Sequence, residues 1–149
     1  RSSDLSCQYI SAEAVVERSI IGEGSEIHGE VYNSVIGPGV VIKKGSVVRN
    51  SIIMKQSFIG ENVTIDKAII AENVTVGNNV VMGVGEDVPN KEKPRVYSFG
   101  LVTIGENSVI PADVRIGINT AIVGETTPED YPDGELASGE TLNKEGETA

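Results

Sequence analysis

The chain has 149 residues, 17 of them Gly, no Trp, only 4% aromatic residues and a formal net charge of −10. That length suits a single domain, and so few rings exclude a core built on large aromatics. The acid excess excludes the basic footprint of a nucleic-acid binder, and no stretch reaches the ~18 apolar residues that a membrane span needs.

From the start, Arg1-Ser2-Ser3 opens without Met, and no signal peptide precedes the first patterned residue. A segment cut from a longer protein is therefore expected. Cys7 is the one cysteine, so no internal disulfide can form and nothing argues for secretion; a cytoplasmic location is expected. The first apolar position, Ile10, already falls in the register of the repeats downstream of it.

One phrase then recurs four times: Val16-Glu17-Arg18-Ser19-Ile20-Ile21, Val31-Tyr32-Asn33-Ser34-Val35-Ile36, Val48-Arg49-Asn50-Ser51-Ile52-Ile53 and Ile65-Asp66-Lys67-Ala68-Ile69-Ile70, at spacings of 15, 17 and 17 residues. Between repeats the aliphatics fall five or six apart, as in Val31, Ile36, Ile42 and Val48. Ile70, Val76 and Met82 continue the series, and Ile104, Ile110, Ile116 and Ile122 resume it. An amphipathic helix needs steps of 3 and 4 and an ordinary strand steps of 2. A step near six is what a chain produces when it runs a short strand, sends one aliphatic inward and turns a corner.

The corner phrases agree: Ile21-Gly-Glu-Gly24, Ile36-Gly-Pro-Gly39, Ile59-Gly-Glu-Asn62, Val76-Gly-Asn-Asn79 and Ile104-Gly-Glu-Asn107 end on Gly or Asn. Both tolerate the positive φ of tight corners. The small residues that come next, such as Ser25, Val63, Val80 and Ser108, fit a narrow interior. The expected fold is an all-β, three-sided parallel β-helix of hexapeptide repeats with about six coils, over residues 1–124. Each coil packs only on its neighbours.

The register breaks between Met82 and Ile104, where two prolines and a run of charges predict an excursion loop over about 83–101. After Gly124 the hexads stop. Residues 125–149 hold eight acids and one base, so they carry −7 and leave −3 for residues 1–124. An acidic extension is expected there, with one short ordered segment and a disordered polar end over 142–149.

Chemistry is scarce. His28 stands alone, so the three histidines of a zinc hydratase site are missing. His28 as an acyltransferase base competes with its reading as an ordinary corner residue. The Gly-x-Gly pairs belong to corners, since no helix comes after them to cradle a phosphate. Lys43, Lys44 and Arg49 read as a solvated basic face. No catalytic set and no metal site is expected in this chain.

Three stretches go further than the hexad. NSIIMKQSFIGENVTIDKAIIAENVTVGNNV (50–80), GLVTIGENSVIPADVRIG (100–117) and TTPEDYPDGELASGETL (126–142) resemble the C-terminal β-helix domain of bacterial glucose-1-phosphate adenylyltransferases. The resemblance covers about Tyr9 to Leu142. It implies a left-handed helix, and a separate N-terminal catalytic domain that binds ATP and Mg²⁺ and transfers AMP to glucose 1-phosphate for glycogen synthesis. It also implies a homo-oligomer, a tetramer, and an anionic metabolite effector held near the contact between the two domains. Lys67 matches a basic position of the family's phrase and is the candidate effector ligand. Relatives carry another Lys just before Gly-Ile-Val-Thr, where this chain has Tyr97-Ser98-Phe99. The β-helix of another sugar-nucleotide pyrophosphorylase, such as a mannose-1-phosphate guanylyltransferase, and a standalone hexapeptide acyltransferase remain as alternatives.

Overall fold

The computed structural model describes residues 7–144. The strands are two to four residues long and all pair in parallel, forming three sheets that are the three faces of one solenoid. The first face stacks Tyr9–Ile10, Glu26–Ile27, Val41–Ile42, Phe58–Ile59, Thr75–Val76 and Val109–Ile110. The second stacks Val15–Glu17, Glu30–Tyr32, Val47–Arg49, Thr64–Asp66, Val81–Met82, Arg115–Ile116 and Glu135–Leu136. The third stacks Ile20–Ile21, Val35–Ile36, Ile52–Ile53, Ala68–Ile70, Val102–Ile104, Thr120–Val123 and Thr141–Asn143. This is the all-β architecture that the six-residue period predicts, as expected for a left-handed hexapeptide helix. No helix is long and apolar enough to cross a membrane.

Two expectations need correction. Two faces carry seven strands each, so the stack has seven rungs rather than about six. The extra rung comes from the acidic extension, so the solenoid runs past Gly124. Glu135–Leu136 pairs with Arg115–Ile116, and Thr141–Asn143 pairs with Thr120–Val123, giving two strands where one short segment was expected. Aliphatic spacing fails there because buried Thr126 and Tyr131 close the interior instead, joined through their hydroxyls at 2.8 Å. Of the segment expected to be disordered, 142–144 are ordered and 145–149 lie outside the described residues.

The register explains the inward row. Val31 pairs with Val48, Val48 with Ile65 and Ile65 with Met82, so one aliphatic from each rung stacks on the next, fully buried. The spacing of 17 residues in sequence becomes one rung, about 4.8 Å, in space. Burying β-branched side chains in this way contributes about 1.5–3 kcal/mol each.

Corners need two devices. At the bend, the backbone takes a left-handed turn: Gly24, Gly39, Asn62, Asn79 and Asn107, the last residues of the five corner phrases, all have positive φ. Asn side chains there bridge successive rungs, as in Asn73 Nδ2 to Asn107 Oδ1 at 2.8 Å and Asn33 Nδ2 to Asn50 Oδ1 at 2.8 Å. Just inside the bend, a small side chain satisfies backbone that the corner would leave unpaired. Ser51 Oγ donates to the Arg49 carbonyl at 2.7 Å and accepts the Ala68 amide at 3.0 Å. Ser25, Ser57 and Ser108, buried at bends between the third and first faces, and Ser46, at a bend between the first and second, each donate to a carbonyl of the next rung; among the described residues Ser11 Oγ is the one buried side-chain polar atom left without a partner.

Residues 83–101 leave the stack between the second and third faces at the fifth rung, and the strands on either side keep their register. The loop then folds back on the last two rungs. Asn90, 1% exposed, donates to the Asn119 carbonyl and to Thr141 Oγ1, both at 3.0 Å, and its Oδ1 accepts the amides of Glu92 and Lys93. Asn119, at φ 57, accepts the Gly100 amide at 2.8 Å and donates to Asp87 Oδ1 and the Val88 carbonyl. The Lys91 amide donates to the Gly139 carbonyl at 2.8 Å, and Lys91 Nζ pairs with Glu140.

Candidate functional site

Lys67 occupies the corner between the second and third faces on the fourth rung, at φ 56, directly above Asn50 in the column of left-handed residues. Its amide donates to the Arg49 carbonyl at 3.1 Å, and its carbonyl accepts the Val102 amide at 2.9 Å. The side chain is exposed and runs alongside Gly100: a Cβ there would stand 3.6 Å from Lys67 Cδ and 3.8 Å from Nζ. The fold therefore brings Lys67 to the foot of the excursion loop, one residue beyond Tyr97-Ser98-Phe99. That place supplies a ring and a hydroxyl rather than a second cation.

The surroundings of Lys67 are of mixed charge. Arg49 lies one rung away, with its guanidinium carbon 4.6 Å above the Tyr32 ring, and so is engaged in a cation–π contact. The Tyr32 hydroxyl donates to Glu30 at 2.7 Å, which raises its pKa above the ordinary value. Asp66, beside Lys67, accepts from Asn50 Nδ2 at 3.0 Å. Among the described residues Lys67 has no ion pair. One exposed Lys holds an anion weakly, because a lone exposed charge pair gives less than about 1 kcal/mol.

The other sequence candidates are scattered. Lys43 and Lys44 sit between the first and second faces, whereas Arg49 begins the next corner, so the three do not form one patch. His28 Nε2 lies 2.8 Å from Glu26 Oε2, and its ring is 5.4 Å from that of Tyr9 on the neighbouring rung. Among the described residues no group of three His, Cys, Asp or Glu stands together as a metal site would require. A groove of about 380 Å³ separates the start of the loop (Val84, Glu86, Val88) from Arg115, Glu135 and Ser138, with two acids facing one cation. It does not include Lys67.

No pattern in the sequence points to Phe99, Asn90 or Asn119. Phe99 has positive φ (62°) and is 86% exposed, on a bulky residue for which that backbone is strained.

A three-sided parallel solenoid with one inward aliphatic per side and Gly, Asn or Ser at the bends defines the hexapeptide-repeat class. The chain belongs to the GlmU-like, C-terminal hexapeptide family, whose sequence profile matches residues 6–104. It is 58% identical over 140 residues to a glucose-1-phosphate adenylyltransferase of Lachnospira eligens, covering 94% of this chain and 33% of that protein. Similar proteins of the same name occur in Acetivibrio thermocellus (44% over 94% of the chain) and Thermotoga neapolitana (54% over 93%). The chain spans about a third of the length of these relatives, their C-terminal part. Among solved structures, the acetyltransferase domain of PglB from Neisseria gonorrhoeae superposes with a TM-score of 0.54 over 89% of this chain and 55% of that one. At 20% identity that likeness concerns the fold alone.

Proposed function

We propose that this chain is the oligomerising and effector-sensing domain of a glucose-1-phosphate adenylyltransferase. That enzyme moves AMP from ATP to glucose 1-phosphate, giving ADP-glucose and pyrophosphate for glycogen synthesis in the cytoplasm. A catalytic domain outside this sequence binds ATP and Mg²⁺, and the working assembly is a homotetramer. The observation that carries the reading is the 58% identity across 94% of the chain to a protein of that name, a third of whose length it covers.

The chemistry of the chain supports the division of labour. Its interior is sealed by aliphatics, and His28 is engaged with Glu26. Lys67 is the residue suited to touch an anionic effector, and its weakness alone requires further cations from a neighbouring domain or copy. Phosphate groups are held by several charge-assisted bonds rather than one.

Pyrophosphate release with ATP, glucose 1-phosphate and Mg²⁺ tests where catalysis resides. The 149-residue chain is expected to be inactive and a full-length protein containing it active; turnover by this chain alone would sink the proposal. Lys67→Gln in the full-length enzyme is expected to raise the phosphorylated-effector concentration needed for half-maximal response several-fold, with kcat in its absence unchanged. An unaltered effector response would remove Lys67 from the site.

A further inference from the structure

The groove of about 380 Å³ runs along the outside of the second face at its last two rungs, and its size is that of a small-molecule site. One wall is the start of the excursion loop; the other is the outward side of the sixth and seventh rungs. Both walls are fixed in place. Asn119 Nδ2 donates to Asp87 Oδ1 at 3.0 Å and to the Val88 carbonyl at 2.8 Å, which ties the loop wall to the solenoid. Where the walls meet, a Cβ on Gly85 or on Gly117 would collide with the Ser138 hydroxyl, so loop and seventh rung approach at a distance only glycine permits. Ser138 Oγ is seated there by accepting the Ile118 amide at 3.0 Å.

Three charges line this space, Arg115, Glu86 and Glu135, all exposed to it. Arg115 and Glu135 are register partners on neighbouring rungs, about 4.8 Å apart at the backbone. Even so, among the described residues none of the three forms an ion pair. The geometry points to a binding site for a basic α-amino acid of the lysine or ornithine type. A bare anion in the groove would meet two carboxylates, and a diamine would meet the guanidinium. A neutral amino acid would leave one carboxylate unmatched. One carboxylate and two ammonium groups on a single molecule match all three charges. The carboxylate takes the Arg115 guanidinium, whose planar fork fits both of its oxygens, and the ammonium groups take Glu86 and Glu135. The methylenes between them lie against Val84, Val88 and Ala137. Each pair alone is weak at an exposed site. On one ligand between fixed walls the three add, because the freedom lost on binding is lost once. The site does not include Lys67 and stands independently of the effector contact proposed there.

An amide-resolved NMR titration of the 149-residue chain with L-lysine tests the site. Saturable shifts are expected at Val84, Val88, Gly117 and Ser138, with a Kd of about 1 mM or tighter that weakens as salt screens the charges. L-Norleucine, which lacks the terminal ammonium, and cadaverine, which lacks the carboxylate, are expected to bind at least tenfold more weakly. Arg115→Gln is expected to bring lysine down to the level of cadaverine. Glu86→Gln with Glu135→Gln is expected to bring it to the level of norleucine or below, with the fold of both variants checked by circular dichroism. Lysine is also expected to slow exchange of the Lys91 and Gly100 amides, because it bridges the loop to the last two rungs, and Lys67→Gln to leave every one of these results unchanged. Absence of saturation up to about 10 mM, ten times the expected Kd, overturns the site. Norleucine or cadaverine binding as tightly as lysine overturns the match of three charges. Shifts centred on Lys67, or lysine binding that survives both sets of groove variants, put the ligand elsewhere and overturn the groove.

Discussion

Asn119→Gly is expected to release the excursion loop while leaving the solenoid folded. The side chain makes three hydrogen bonds to the loop, to the Gly100 amide, Asp87 Oδ1 and the Val88 carbonyl. Each contributes about 0.5–1.5 kcal/mol net, so the change removes about 3 kcal/mol of docking free energy. Gly keeps the left-handed corner at φ 57 without penalty, whereas Asn119→Ala adds about 1 kcal/mol of strain to the rung itself. The two variants therefore separate loop from corner. At about 1.4 kcal/mol per tenfold, exchange of the Gly100 and Lys91 amides is expected to quicken about a hundredfold in Asn119→Gly, and tryptic cleavage at Lys91, Lys93 and Arg95 to rise with it. Strand amides in rungs one to four keep their protection. Asn119→Asp retains an acceptor for Gly100 but turns a carboxylate toward Asp87, so its loop is expected to loosen at neutral pH and re-dock in acid. If Asn119→Gly leaves the loop amides protected as in the parent chain, Asn119 is not the latch.

Ile65→Ala, at a fully buried position between Val48 and Met82, is expected to cost about 2–5 kcal/mol in urea unfolding. The loss of amide protection should centre on rungs three to five and fade toward the ends, because coils couple to neighbours; a uniform loss would contradict nearest-neighbour stacking. Burial pushes the Tyr131 hydroxyl up to about 12, above the ordinary 10, so the fold favours the protonated form. Its stability is complete below pH 10 and is lost as pH rises from 10 through 12, by roughly 2–3 kcal/mol. Tyr131→Phe should abolish that alkaline step in a thermal-melt series, and persistence of the step would place it elsewhere. The Lys144 ammonium, followed by the Thr127 amide, holds Asp130 below its ordinary 3.8, so its contribution is present above that pH and lost as pH falls through the depressed value. Amides of the seventh rung are expected to open first on acidification, and Asp130→Asn to remove the effect; simultaneous opening of all rungs would refute it.

The solenoid was legible because inward positions obey one chemical rule. Val48, Ile65 and Met82 must be aliphatic to stack, and the left-handed bends after them favour Gly or Asn, as at Asn50 and Gly83, with Lys67 after Ile65 the departure. The seventh rung escaped because it breaks that rule: between Ile122 and Leu136 the interior is closed by Thr126 and Tyr131, hydroxyl-bearing groups, and the single six-residue step that remains, Leu136 to Leu142, is too short to read as a repeat. Lys67 was legible only through resemblance, since an exposed Lys at a left-handed corner looks like any other surface cation. Asn90 and Asn119 were invisible for a different reason. They act on partners far along the chain, Asn119 on Gly100 across 19 residues and Asn90 on Thr141 across 51, and no local pattern encodes such a contact.

The constant one-rung register also bears on the pace at which the chain finds its structure. Tyr32 meets Arg49, and Val48 meets Ile65, across 17 residues in a chain of 149, a relative contact order of about 0.11 for those pairs. Sheet proteins fold slowly because their strands search far along the chain, with values of about 0.16–0.22. Those pairs of this all-parallel protein sit in the range of helical bundles, about 0.07–0.12. Any rung can serve as the nucleus, and each later one closes a short loop onto a finished edge. The exceptions span the excursion loop: Val102–Ile104 must reach Ala68–Ile70 across 34 residues, and Val109–Ile110 and Arg115–Ile116 then pair across the same separation. Growth of the stack from its N-terminal rungs is slowest at that joint.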